Sequence, residues 1–227
     1  MLVSGFKIGH AQDETLLSGV TAIIPAQPAT AAVHVMGGAP GTRETDLLSP
    51  EQLVQEVDAI VLSGGSAFGL DAASGVQAWL REHNRGFPVG DFRIPIVPSA
   101  ILYDLGNGGD KNWGRYPPYR ELAYEAANNL TTDPKLGSVG AGTGATISGA
   151  RGGFGLASQQ LQNGIVVSAI AACNAVGSVF VGETNHYWAA PFEKNNEFGG
   201  RGLPHPIPED ADVIRTKGAD DDEAESK

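Results

Sequence analysis

The chain has 227 residues, 41% of them hydrophobic, which is enough to bury a full core and fits one α/β domain. Its formal net charge of -11 and its pI near 4.8, with no basic cluster, argue against binding to nucleic acid or to an anionic membrane. The single cysteine excludes an internal disulfide, and no apolar run reaches the roughly 18 residues of a membrane span, so we expect a cytoplasmic protein.

The first third of the chain has the pattern of short strands. Residues 20–24 and 31–36 are partly β-branched and end at Pro25 and at a glycine pair, which predicts two paired strands. Ser49, Pro50 and Gln52 then form a helix-start signal that predicts a short helix to about residue 57. Residues 59–62 follow as a predicted buried strand.

A strand, glycine turn and helix unit comes next. The strand leads into a turn at residues 63–66, and helical spacing of apolar residues predicts a helix over about residues 70–84. Gly75 lies inside this helix and costs about 1 kcal/mol of helix propensity relative to alanine, so we expect a packing reason for it.

The second half alternates extended and helical segments. Residues 94–98 and 99–105 read as extended, and residues 117–129 as a helix. Residues 165–172 are so apolar that they predict a strand buried on both faces, followed by a strand at 176–181. We assign residues 1–215 to one α/β domain and predict that the acidic tail 216–227 is disordered.

A glycine-rich run at residues 137–146, which we call the glycine loop, is the most informative local feature. So many glycines indicate a backbone that bends tightly and closely approaches a ligand or another backbone. The run loosely matches a dinucleotide-binding fingerprint, but no buried strand precedes it, and no Asp or Glu occurs between Asp133 and Glu183. We therefore predict no nucleotide and no other cofactor.

Other familiar catalytic patterns are missing. The turn at residues 64–68 lacks the glycine that a serine-hydrolase elbow needs two places after its serine. The five histidines are scattered without metal-ligand spacing, so we predict no metal. Cys173 reads as a small core residue. Asn174 follows a fully apolar strand, so its amide must donate either to a substrate or to backbone.

Five ordered segments within residues 62–177 carry a family resemblance. They are Gly64-Gly65-Ser66-Ala67-Phe68-Gly69-Leu70, Pro98-Ser99-Ala100-Ile101-Leu102-Tyr103-Asp104, Val139-Gly140-Ala141-Gly142-Thr143-Gly144-Ala145-Thr146, Arg151-Gly152-Gly153-Phe154-Gly155 and Asn174-Ala175-Val176-Gly177. Together they resemble the DmpA-type aminopeptidases and their nylon-oligomer-hydrolase relatives. These are self-processing amidases with an N-terminal nucleophile.

The resemblance implies a fold and an assembly. The fold would be a four-layer α-β-β-α sandwich, and this sequence would be the large α chain of a precursor that cuts its own backbone. The attacking Thr or Ser would be the first residue of a separate β chain. Its free α-amino group would act as general base. The low share of charged residues, 18%, also suggests a surface covered by partners, and the family suggests a tetramer of αβ units.

The resemblance also assigns roles to residues. Tyr103 and Asn174 match the α-chain groups that donate to the oxyanion of the tetrahedral intermediate. The substrate-binding residues would be Gly65 and Ser66 at a helix start, Gly142, Thr143 and Gly144 in the glycine loop, and Arg151.

One departure bears on the activity. Many relatives place a lysine shortly after the glycine loop, whereas this chain has residues 147–150 there and Arg151 as the nearest cation. Arginine cannot act as a base. We expect an aminopeptidase acting on peptides or related amides. The alternatives are an endo-hydrolase of linear polyamide oligomers and a non-catalytic homologue that binds small ligands.

Overall fold

The computed structural model describes residues 3–218. The strands are β1 (Phe6–Asp13), β2 (Ser18–Pro25), β3 (Ala29–Thr30), β4 (Thr42–Arg43), β5 (Glu56–Val57), β6 (Ile60–Ser63), β7 (Phe87–Val89), β8 (Phe92–Ile94), β9 (Ser99–Ile101), β10 (Thr146–Ile147), β11 (Ala150–Arg151), β12 (Gly153–Gln160) and β13 (Val166–Cys173). The α-helices are α1 (Ala72–Glu82) and α2 (Tyr119–Asn128). Short 3-10 helices cover Asp46–Leu48, Ser66–Asp71, Gly140–Gly142 and Ala190–Phe192.

The chain divides into two compact units. Among the described residues, the first comprises residues 3–145 and 152–174, and the second comprises residues 146–151 and 175–218. One domain over residues 1–215 stays a prediction. The predicted acidic tail falls mostly on residues 219–227, which lie outside the described part.

A five-stranded mixed sheet forms the centre of the first unit. Its order is β1-β2-β6-β9-β4, with β6 and β9 parallel and the other neighbours antiparallel. β2 is buried along its whole length. The predicted strands at residues 20–24 and 59–62 are therefore confirmed as β2 and β6.

Helices α1 and α2 cover one face of this sheet and confirm two further predictions. Val20, Ala22 and Val61 from the sheet pack with Val76, Leu80, Leu122 and Ala123 from the helices. The helices approach each other closely, because a Cβ built at Gly75 would lie 2.0 Å from the carbonyl oxygen of Arg120. This contact is the packing reason expected for Gly75.

The β12–β13 hairpin lies on the opposite face of the sheet. Ile8, Ile23 and Phe154 form the small core there, with Leu62, Leu156 and Ile170 packed against it. The prediction that residues 165–172 are buried on both faces is wrong, since Val166 is 42% exposed and Val167 53% exposed. β13 pairs with β12 alone in residues 3–218, so its other edge and much of its surface are uncovered.

Two predictions in the first third are also wrong. Residues 31–36 are not a strand and cannot pair with β2, because β1 and β6 already occupy both edges of β2. Ser49 does not begin a helix. It ends the Asp46–Leu48 turn with extended dihedral angles, and Glu56–Val57 pairs with β3. Leu53 is 94% exposed, so a helix here would have had no core to pack against.

The second unit contains the β10–β11 hairpin and a long irregular segment. The predicted strand at residues 176–181 is wrong, because only an isolated bridge joins Phe180 to Tyr187. Within this unit Tyr187 stacks on Phe198 with ring centroids 5.1 Å apart, and Arg215 forms an ion pair with Asp210. Hydrogen bonds and ring contacts therefore hold a segment that has little regular structure.

Neither helix of residues 3–218 has the length and apolarity needed to cross a bilayer. Over the same residues, no group of three or more His, Cys, Asp or Glu side chains is placed to hold a metal ion.

Candidate active site

The structure brings the two predicted catalytic residues together. Tyr103 lies just beyond the end of β9, and Asn174 directly follows β13. The Asn174 Nδ2 donates a hydrogen bond of 2.8 Å to the carbonyl oxygen of Tyr103. This amide therefore has one of the two kinds of partner that the sequence left open for it, a backbone carbonyl.

The Tyr103 side chain is accessible. It is 59% exposed, and its hydroxyl lies over Gly106, where a Cβ would be 3.5 Å from the oxygen. A phenol in this position can donate a hydrogen bond to a bound group. Tyr103 and Asn174 thus place a hydroxyl and an amide on adjoining segments of the first unit.

The turn at Gly65 and Ser66 lies beside the same segment. The Ser66 N–H donates to the Leu102 carbonyl at 2.9 Å, and Gly65 has a φ of +85°. A Cβ at Gly65 would lie 2.1 Å from the Tyr119 ring, so only glycine fits. Ser66 has a φ of +53°, which is uncommon for serine and holds strain of about 1–3 kcal/mol. No side chain caps the 3-10 helix that begins here.

The glycine loop closely approaches other parts of its own backbone. A Cβ at Gly142 would lie 2.3 Å from the Phe154 nitrogen, and one at Gly144 would lie 2.2 Å from the Leu17 oxygen. Thr143 between them is 1% exposed. The close approach of this loop to another backbone, which the glycines predict, is thus observed.

A polar cleft of about 290 Å³ lies behind the start of the glycine loop and includes His10, Asp133 and Lys135. The His10 Nδ1 lies 2.9 Å from the Thr21 hydroxyl oxygen, which accepts the Ala141 N–H at 3.0 Å. The tautomer of His10 sets which of the two atoms donates. Burial lowers the pKa of His10, and a contact with the Lys135 backbone partly opposes this effect.

Asp104 is the functional candidate that the sequence analysis did not single out. It is 3% exposed and accepts hydrogen bonds from Ser18 and from the Gly65 backbone. Its partners are 86 and 39 residues away along the chain, so no local pattern reveals them. The only sequence signal is its place directly after Tyr103 in a matching motif.

Arg151 belongs to the second unit. It lies exposed on β11, opposite Thr146 in the register. The other predicted site residues all belong to the first unit.

A comparison with family models decides the classification. The model of peptidase family S58, the DmpA family, matches residues 2–200.

The chain belongs to peptidase family S58.

Curated relatives agree with this membership. An uncharacterized aminopeptidase of Mycobacterium tuberculosis is 43% identical over 196 residues, which are 83% of this S58 chain and 56% of the relative. An uncharacterized aminopeptidase of Mycobacterium leprae is 40% identical over 199 residues, covering 82% and 55% of the two chains. The S58 chain thus spans about half the length of the curated relatives it matches.

Solved structures show the fold. An L-aminopeptidase D-Ala-esterase/amidase from Ochrobactrum anthropi, described as a variant of the Ntn hydrolase fold, superposes with a TM-score of 0.61 at 23% identity. The match covers 76% of this S58 chain and 52% of the other. A β-aminopeptidase from Burkholderia sp. has a TM-score of 0.61 at 24% identity, covering 76% and 51%. The mixed sheets and two helices of the S58 chain thus have an Ntn-hydrolase-type arrangement.

Proposed function

We propose that this S58 chain is the α chain of a self-processed amide hydrolase that removes N-terminal residues from peptides or related amides. The attacking hydroxyl belongs to a Thr or Ser at the start of a β chain derived from the same precursor. The observation that carries the proposal is the meeting of Tyr103 and Asn174 in a family S58 chain, at a hydrogen-bond distance of 2.8 Å.

The chemistry needs donors where negative charge develops. In the first step the α-amino group of the nucleophile accepts the hydroxyl proton, and the hydroxyl oxygen bonds to the substrate carbonyl carbon. The carbonyl oxygen becomes an oxyanion, which the Tyr103 hydroxyl and the Asn174 amide stabilise. The amine leaves with the transferred proton. Water then attacks the ester, releases the acid and regenerates the hydroxyl. No cofactor or metal takes part.

The α-amino group suits this task. Its ordinary pKa of about 7.7–8.0 leaves a useful fraction of free base at neutral pH. Since the nucleophile carries its own base, the chemistry does not require a lysine after the glycine loop. The absence of a lysine at residues 147–150 is therefore compatible with the proposed mechanism.

Exposed apolar surface supports the proposal that a separate β chain binds here. A groove of about 370 Å³ on the hairpin side of the main sheet is lined by Phe6, Ile23, Ile60, Leu62 and Ile170, among others. Ile60 is 38% exposed although it lies on a central strand. Exposed apolar patches of this kind mark interaction sites.

The layer arrangement is part of the same proposal. Helices α1 and α2 form one outer layer, the five-stranded sheet the second, and the β12–β13 hairpin begins the third. Strands of the β chain would pair with β13, cover the groove and complete the four-layer α-β-β-α sandwich. The active enzyme would be a cytoplasmic tetramer of such αβ units.

A substrate panel tests the function. The full-length gene product should release p-nitroaniline from amino-acid anilides and should leave linear polyamide oligomers intact. Cleavage of the oligomers with no anilide hydrolysis would instead favour the endo-hydrolase. A protein that is inactive on both substrates but binds amino-acid amides in calorimetry would be the non-catalytic homologue.

A further inference from the structure

Asp104 is a buried carboxylate with two short hydrogen bonds. Its Oδ2 accepts the Ser18 hydroxyl at 2.6 Å, and its Oδ1 accepts the Gly65 N–H at 2.7 Å. Hydrogen bonds to an ionised acceptor are roughly twice as strong as neutral ones. Asp104 therefore ties the start of β2 to the turn that follows β6.

Two glycines confine the same carboxylate. A Cβ at Gly64 would lie 2.1 Å from the Asp104 Oδ2, and a Cβ at Gly144 would lie 2.6 Å from it. Both separations are far shorter than van der Waals contact, so no side chain fits at either position. The backbone of the turn and the backbone of the glycine loop thus contact Asp104 directly.

The loop that follows Asp104 holds Gly144 in a second way. The Asn107 Nδ2 donates to the Gly144 carbonyl at 3.2 Å and to the Leu17 carbonyl at 2.6 Å. The Lys111 Nζ donates in turn to the Asn107 Oδ1 at 2.7 Å.

Lys111 places a positive charge near the buried carboxylate. Burial lowers the pKa of Lys111, while the negative charges of Asp104 and Asp110 act against this shift. A carboxylate that is removed from water needs such compensation by charge and hydrogen bonds. The segment from Asp104 to Lys111 thus combines anchoring contacts with its own counter-charge.

We infer that Asp104 is a positioning residue of the active site. Asp104 directly follows Tyr103 and contacts both Gly65 and Gly144, and so fixes the Tyr103 hydroxyl relative to the glycine loop. It acts through these neighbours and makes no bond to the substrate. The inference rests on the proposed function, in which Tyr103 donates to the oxyanion.

The physical reason is the sensitivity of catalysis to geometry. A displacement of about 1 Å in a catalytic group can lower the rate about 10²-fold. An asparagine at position 104 has the size of aspartate and can still accept the Gly65 N–H. The substitution replaces the second carboxylate oxygen with an amide nitrogen that donates, so the Ser18 hydroxyl would have to accept this hydrogen bond instead of donating it. It also removes the negative charge near Lys111.

The test compares Asp104→Asn and Ser18→Ala with the parent in the full-length, processed enzyme. Asp91→Asn, an exposed carboxylate at the β7–β8 turn, is the control. We expect kcat for an amino-acid anilide to fall about 10-fold to 10²-fold in Asp104→Asn, with KM changed less than about 2-fold. Ser18→Ala should change kcat in the same direction by a smaller factor, and Asp91→Asn should match the parent.

Stability is measured in parallel, so that loss of folded protein is not counted as loss of rate. All assays are run well below each variant's unfolding midpoint. A kcat for folded Asp104→Asn equal to that of the parent overturns the inference. So does a loss that is fully explained by a smaller folded fraction.

A crystal structure of Asp104→Asn separates this inference from the proposed function. If the parent hydrolyses no amide, the proposed function fails, but a shift of the Tyr103 hydroxyl relative to Gly144 still supports positioning. If Tyr103 and Gly144 keep their parent positions in that variant, Asp104 does not position them, whatever the activity.

Discussion

Asn174 holds the main chain of Tyr103, because its Nδ2 donates to the Tyr103 carbonyl oxygen at 2.8 Å. Two segments that are 71 residues apart in sequence therefore meet through one hydrogen bond. The contact fixes the amide of Asn174 and the backbone of Tyr103 in one arrangement. A change at either residue should disturb the other.

Loss of either donor should slow catalysis. In the full-length enzyme, Tyr103→Phe and Asn174→Ala should each reduce kcat by about 10²–10³-fold, as expected for removal of one oxyanion donor. The double variant should lose less than the product of the two effects, because the residues are in contact. Steady-state kinetics on an amino-acid anilide measures this. Tyr116→Phe, at a tyrosine that is 76% exposed, should behave like the parent.

Gly75→Ala should destabilise the protein. Alanine would add about 1 kcal/mol of helix propensity, but its Cβ would lie 2.0 Å from the Arg120 carbonyl oxygen. Overpacking of this kind costs about 1–3 kcal/mol or more, so the unfolding midpoint in urea should fall. Gly155→Ala is the comparison, since no atom lies within 4 Å of a Cβ there. Equal midpoints for the two variants would contradict the close packing of α1 on α2.

His10 should make stability depend on pH. Burial lowers the folded-state pKa of His10 below its ordinary value of 6.5. As pH falls below 6.5, the unfolded chain binds a proton that the folded chain resists, so the free energy of unfolding decreases. Urea unfolding at about pH 7.5 and pH 5.5 should show a smaller decrease in His10→Gln than in the parent. His83→Gln, at an exposed histidine, is the control for the exchange of histidine for glutamine. If the parent and His10→Gln lose the same stability between these pH values, His10 is not the origin of the pH dependence.

Ile60→Ser should weaken association with the β chain. An isoleucine side chain contributes about 1.5–3 kcal/mol when fully buried, so covering the exposed part of Ile60 should matter for binding. In analytical ultracentrifugation, we expect the two chains of processed Ile60→Ser to be dissociated at protein concentrations at which the parent remains associated. Leu53→Ser changes an exposed leucine outside the groove and should leave the assembly intact. If Ile60→Ser dissociates at the same protein concentration as the parent, the β chain does not cover this groove.

Sequence periodicity predicted the elements that bury either one face or their whole length. β2, β6, α1 and α2 carry such patterns, and each was found. β1 was missed because Gly9 and Ala11, at the centre of its helix-facing side, are small. A Cβ at Gly9 would lie 1.8 Å from the Ala126 carbonyl oxygen, so close helix packing removes the apolar signal that a strand normally shows.

The candidate site was predictable only in part. The matching motifs identified Tyr103 and Asn174, and the structure brings these two residues together. The place of Asp104 in a matching motif does not reveal its contacts, because its hydrogen-bond partners Ser18 and Gly65 are distant in sequence. The wrong strand at residues 31–36 has a related cause. Whether an apolar extended segment pairs depends on a free neighbouring edge, which local sequence does not encode.

The proposed mechanism depends on a nucleophile that a second chain supplies, and intact-mass spectrometry of the purified full-length gene product tests this directly. We expect two fragments, with the smaller one beginning at a Thr or Ser, and a single unprocessed chain when that residue is changed to Ala. A full-length chain that remains uncut and nevertheless hydrolyses amino-acid anilides would contradict the proposed mechanism.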